Sequence, residues 1–127
     1  LLRSNMRAIS LPQPWASLAV SGRLTWLTRP QQTRHRGPLG IHARQKPSPI
    51  PADTRWRLSG PLPHGALLGM VVLLDCRPID LIPVDELDPG PFPAEPGWWA
   101  WEIGGARRWD PIPCRGGRGL FETEFVA

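Results

Sequence analysis

Arg7-Ala8-Ile9-Ser10-Leu11-Pro12-Gln13-Pro14-Trp15, followed one helix later by Gly22-Arg23-Leu24-Thr25-Trp26-Leu27-Thr28-Arg29, decides how this chain is read. Residues 7–11 have the composition of a strand and end at a proline-gated turn. A helix is expected over 13–21, because Pro14 suits a first turn, where its missing N–H costs nothing. Trp15, Leu18 and Ala19 then share one face at i, i+3 and i+4, and Gly22 supplies the stop. Residues 24–29 return as a strand, with Leu24, Trp26 and Thr28 on one face and Thr25, Leu27 and Arg29 on the other.

Working outward, further strands are expected over 38–43, 67–75, 98–103, 107–112 and 119–126. The strongest is 67–75, apolar on both faces and therefore central in a sheet. Residues 45–63 are the least periodic stretch, with prolines flanking a short helix at 52–58. Residues 80–96 read as an acidic, proline-rich connection with one helical turn. About six strands with one early helix and short helical turns between them make a small mixed α+β barrel. Neither a repeat nor a linker divides the chain, so residues 6–127 read as one domain. Residues 1–5 precede the first methionine and read as upstream or added sequence.

Composition narrows the classes. With 41% hydrophobic residues among 127, the chain has enough apolar side chain for one core and not for two. Seventeen prolines and thirteen glycines leave little room for long helices. Seven tryptophans with no tyrosine are more than a small barrel hides completely. Fourteen arginines stand against the single Lys46, and the formal charge of +4 favours an anionic partner. Cys76 and Cys114 form no Cys-x-x-Cys pair, and His35, His42 and His64 lack ligand spacing, so no metal site and no cofactor are expected. Two reduced cysteines in a cytoplasmic protein are the default. The longest apolar run, residues 66–74, falls far short of the ~20 needed to span a bilayer, so no membrane partner is expected.

Several motifs together resemble one family. Met6-Arg7-Ala8-Ile9-Ser10-Leu11-Pro12-Gln13-Pro14-Trp15-Ala16 is similar to the opening strand and Gln-Pro-Trp-Ala helix start of ASCH domains, which belong to the PUA-like superfamily. Gly22 and Arg29 fit that family's Gly-x-Lys-x-x-Glu-x-Arg signature, and Thr25 aligns within it. Arg36-Gly37-Pro38, Ile41-His42-Ala43, the run from Gly69 to Cys76, and Trp99-Ala100-Trp101-Glu102-Ile103 resemble its later strands. So do Pro111-Ile112-Pro113-Cys114-Arg115-Gly116 and Gly119-Leu120-Phe121. The resemblance implies a PUA-like β-barrel and an RNA or nucleotide ligand. It also implies that a lysine and a polar residue at positions 24 and 27 would do chemistry in the members that hydrolyse amides of modified cytidines. This chain has Leu24 and Leu27 there, and a leucine neither transfers a proton nor attacks a carbonyl.

The candidate ligand-binding residues follow from charge, face and position. Thr25 and Arg29 share a strand face, and Arg29 either clamps a phosphate or pairs with a carboxylate such as Glu102 or Asp75. Arg34 and Arg36 form a basic loop with Arg23 and Arg44 nearby, and Arg115 and Arg118 repeat that pattern among glycines. Trp99 and Trp101 share a face opposite Trp98, and Trp101 is expected at a cleft where an unpaired base stacks. Gln13 and Ser17 lie one turn apart on the first helix, with Gln13 set to line the cleft. His42 either hydrogen-bonds a base edge or acts as a general base, and Glu102 is the other weak catalytic candidate. The expected function is an RNA- or nucleotide-binding module with a basic, Trp-lined cleft, single-stranded RNA being favoured. The alternatives are a ribonuclease or modified-nucleoside amidohydrolase, and a protein-interaction module using the proline-rich segments at 45–63 and 80–96.

Overall fold

A computed structural model of the chain describes residues 3–47, 49–83, 85–87 and 95–126. Six strands and one helix run in the order β1 (Arg3–Leu11), α1 (Trp15–Val20), β2 (Trp26–Arg29), β3 (Gly37–Ala43), β4 (Ala66–Pro78), β5 (Trp99–Pro113) and β6 (Phe121–Val126). Short 3₁₀ turns occupy Thr54–Trp56 and Ile79–Leu81. All six strands belong to one sheet in the order β2-β5-β4-β3-β1-β6. Only β1 and β3 pair in parallel; the other four ladders are antiparallel. The architecture is thus a small mixed α+β domain whose sheet has two edges, β2 and β6. Among the described residues no helix is long and apolar enough to cross a membrane.

The run expected to be central is central. β4 lies between β3 and β5, and Leu67, Leu68, Val71 and Leu73 are buried on it. It has neighbours on both edges, with Val71 and Leu73 buried in the core on one face, while Leu74 on the other face stands 53% exposed. α1 packs across β3, β4 and β5. It buries Ala16, Leu18, Ala19 and Val20 there. Leu24 and Leu27 join this main cluster, at 5% and 0% exposure. Leu24 and Leu27 are therefore core residues. Trp26 packs on a second cluster around Ile79, Ile82, Leu87 and Ala100, with Trp98 beside it. Of the seven tryptophans none stands exposed: Trp56 and Trp101 are buried and the other five half-buried.

Three local expectations are corrected. The helix is shorter than 13–21, because Gln13 and Pro14 form its approach and not its body. Residues 52–58 contain one 3₁₀ turn instead of a helix, capped by the Asp53 carboxylate accepting the Arg55 amide. The segments 98–103 and 107–112 are not two strands but one, the fifteen-residue β5. Gly104 and Gly105 look like a break in the sequence, yet they carry the strand through an irregular ladder. The β4–β5 register shifts three times, and Gly105 sits at φ 55° beside those shifts. A bulge leaves an unpaired residue and bends the strand without ending it, and a glycine takes that left-handed backbone without a Cβ clash. Of the acidic connection at 80–96, residues 84 and 88–94 lie outside the described residues.

Gly69 is required by the same ladder for space: a Cβ there would run into the Arg107 carbonyl. Backbone cannot yield as a flexible side chain does. We therefore expect Gly69→Ala to lower unfolding free energy by about 1–3 kcal/mol, read as a reduced urea midpoint with an unchanged m-value.

Candidate anion-binding site

A cleft with convergent polar groups opens where the C-terminal end of β3 meets the loop after β5. It measures about 550 Å³ and is lined by Ser10, His42, Arg44, Gln45, Cys114 and residues 115–118. This volume lies in the range that holds a small ligand. Three of its lining residues, His42, Arg115 and Arg118, were candidates from the sequence. Arg44 completes a ring of three guanidiniums, all exposed. None of the three has a carboxylate partner among the described residues.

Arg29 lies close enough to Arg44 to feel its charge. Burial holds the Arg29 guanidinium below the usual arginine value, and the Arg44 charge pushes in the same direction. The alternative in which Arg29 pairs with Glu102 or Asp75 is not what forms. Instead its guanidinium carbon stands 5.9 Å from the centre of the Trp101 ring, within cation–π range. Its Nε is buried with no hydrogen-bond partner. The partly buried Arg29 charge is thus held by the Trp101 ring and by no carboxylate among the described residues.

The remaining candidates are dispersed. Trp101, expected at an open cleft, is only 3% exposed and donates its indole N–H to the Gln31 carbonyl at 3.0 Å. Buried on β5 with Arg29 over one face, it offers no surface to a base. Among the described residues no tryptophan lines the basic cleft, so the expected Trp lining is corrected. Thr25 precedes β2 and is exposed, while Arg29 ends that strand, so the two do not share a strand face. Arg23 reaches the Arg55 carbonyl at 2.7 Å, fixing the 3₁₀ turn to the start of the helix–strand connection.

Arg36 folds back on its own loop, donating to the Thr33 and His35 carbonyls, and approaches Asp75 at 3.6 Å. Arg77 flanks the same carboxylate at 3.6 Å and lies over Trp26. These are exposed pairs of small individual worth, and they place Arg36 on the β4 side, away from the ring of three. Arg34 is exposed and carries no partner among the described residues. Glu102 is the cross-strand partner of both Trp26 and Asp75 and does not line the cleft. Among the described residues no three His, Cys, Asp or Glu side chains come together as a metal-binding group.

Gln13 has a structural task. At 3% exposure its Oε1 accepts the Ser17 amide at 3.0 Å, and its Nε2 donates to Ser17 Oγ and to the Pro63 carbonyl, both at 2.8 Å. Pro14 at the N-cap provides no side-chain cap, so the residue before it satisfies an amide that the first turn leaves open. The role in ligand contact that the sequence suggested is thereby corrected.

Ser10 was missed by sequence reasoning, while Arg44, noted beside the basic loop, and Gly116 and Gly117, noted between two arginines, were not assigned to the cleft. Arg44 follows directly on the strand carrying His42, which was a usable signal. Ser10 becomes legible only when its strand is paired with β3, where it stands opposite His42. Replacing Gln13 with Ala strands a buried amide and a carbonyl. It should cost about 1–3 kcal/mol of stability in a denaturation curve while leaving ligand affinity at the arginine cleft unchanged. Scanned against protein-family models and compared with curated proteins, the chain gives no match in either.

Proposed function

We propose that this chain is an ASCH-type, PUA-like domain that binds single-stranded RNA or a nucleotide through the cleft of Arg44, Arg115 and Arg118. The observation that carries this reading is three guanidiniums around one concave site with no carboxylate to neutralise them among the described residues. A guanidinium fork matches phosphate geometry in two-point contacts, and a phosphate chain supplies the counter-charge in register with several of them. Gly116 and Gly117 keep the loop free of side chains and let a backbone approach closely. The order of strands and the early helix packed on the sheet also support the PUA-like assignment. Leu24 and Leu27 in the core support binding over the amide hydrolysis of relatives that keep polar residues there.

The test is fluorescence anisotropy of a short labelled single-stranded RNA across a salt series, with the free mononucleotide as competitor. Three phosphate contacts predict a log–log salt slope of about −2, from roughly 0.7 per phosphate on a single strand. Arg115→Ala and Arg118→Ala should each weaken binding and reduce that slope by about 0.7. Arg34→Ala, on the other loop, should leave both unchanged. An RNA affinity insensitive to the loss of Arg44, Arg115 and Arg118 together would refute the assignment.

A further inference from the structure

At the floor of the same cleft lies an arrangement that phosphate binding does not use. Ser10 on β1 and His42 on β3 are register partners in the parallel ladder, and Ser10 Oγ stands 2.9 Å from His42 Nδ1. His42 Nε2 stands 2.9 Å from the Cys114 carbonyl oxygen. A carbonyl oxygen only accepts, so Nε2 carries the proton and donates it there. The neutral ring then has Nδ1 as its free acceptor, and the Ser10 hydroxyl donates to it. The serine proton is thus aimed at a base whose far side is held by a third group, the order of roles by which a hydroxyl is activated as a nucleophile.

Exposure divides the roles in the same way. His42 is 2% exposed, with Phe121 edge-on to its ring at 6.0 Å, whereas Ser10 is half-buried and lines the cleft. Gly116 packs directly against this pair: a Cβ on it would sit 2.5 Å from Ser10 Oγ and 2.8 Å from His42 Cε1, so only a glycine lets the loop close this tightly beside the serine. The amides of Gly116 and Gly117 make no bond to another backbone group among the described residues. They remain as donors for negative charge that develops beside the serine.

We infer that Ser10 is a nucleophile and His42 its general base, and that the cleft hydrolyses carboxylic esters of molecules bearing an anionic group, which the arginine ring holds. This rests on the cleft being the anion site proposed above. Ser10 Oγ bonds to the ester carbonyl carbon as Nδ1 takes its proton. The ester C–O bond then breaks, and the departing alcohol oxygen takes that proton from Nδ1. Water attacks the acyl-serine with Nδ1 as base, the acid is released, and the proton returns to Ser10 Oγ. The Cys114 carbonyl stabilises the imidazolium in both halves by accepting from Nε2–H. Leu24 and Leu27 take no part.

The experiment treats the full chain with a fluorophosphonate probe and identifies the modified residue by mass spectrometry. In parallel it follows release of p-nitrophenolate from p-nitrophenyl acetate and from the anionic p-nitrophenyl hemisuccinate. The expected result is a stoichiometric adduct on Ser10 and hydrolysis reduced at least about 100-fold in Ser10→Ala, assayed where a urea curve shows the variant folded, since losing the Ser10 bond leaves buried His42 Nδ1 without its partner. Arg118→Ala should raise the KM for the hemisuccinate about tenfold. A wild-type protein that is unlabelled at Ser10 and no faster than Ser10→Ala would overturn the inference. RNA binding by the same samples separates the two readings. Retained RNA affinity without labelling or turnover removes the hydrolase alone, whereas turnover lost in Ser10→Ala without RNA binding upholds it and removes the RNA assignment alone.

Discussion

The parallel pairing of β1 with β3 is the constraint from which the rest of the structure follows, because two parallel neighbours cannot be joined by a tight turn. The chain must leave β1 and return in the same direction, and it uses α1 and β2 for that passage. α1 spends its apolar face on β3, β4 and β5, closing the core. β2 does not join the β1–β3 pair but crosses to the far side of the sheet and pairs with β5. The last strand then takes the vacant edge of β1. One topological requirement thereby brings Ser10, His42 and the loop after β5 to a single place, although they are distant in sequence.

Core and cleft divide the arginines between two physical regimes. Arg23, Arg36, Arg55 and Arg77 are occupied by carbonyls, carboxylates or aromatic rings, and hold loops to the sheet. Arg44, Arg115 and Arg118 have no such partners among the described residues, and the charge of Arg44 reinforces the effect of burial on Arg29. Net charge alone would attract an anion anywhere on the surface. Localisation requires cations that the fold leaves uncompensated, and Arg44, Arg115 and Arg118 meet that condition together around one cleft.

Polar groups in the interior follow the opposite rule. Gln13 and His42, among the few buried polar side chains, have their nitrogens and oxygens accounted for by named partners. A buried amide or imidazole left without a partner costs more than the bond is worth when made. Satisfying Gln13 engages both ends of its amide, with Oε1 accepting from Ser17 and both Nε2 protons donated. Satisfying His42 consumes its Nε2 proton on a backbone carbonyl, and this is what turns Nδ1 into a base facing Ser10.

Local pattern was sufficient wherever burial and periodicity coincide in the sequence. The apolar run of β4, the stop at Gly22 and the apolar face of Leu18 and Ala19 were legible because a central strand and a helix stripe each demand a particular spacing. The apolar character of Leu24 and Leu27, both core residues, was likewise legible from residue type. Continuity of β5 through Gly104 and Gly105 was not, because only the partner strand decides whether a glycine pair ends a strand or bulges it. The site followed the same division. His42, Arg115 and Arg118 were recognisable by chemical type, while Trp101 and Gln13 were given to the cleft although packing had already claimed them. Sequence by itself determined which side chains carry charge, bulk or a titratable ring, since these are properties of one residue. Which of them face an anion, and which serine stands beside which histidine, was decided only by strand register and burial, which depend on partners dozens of residues away.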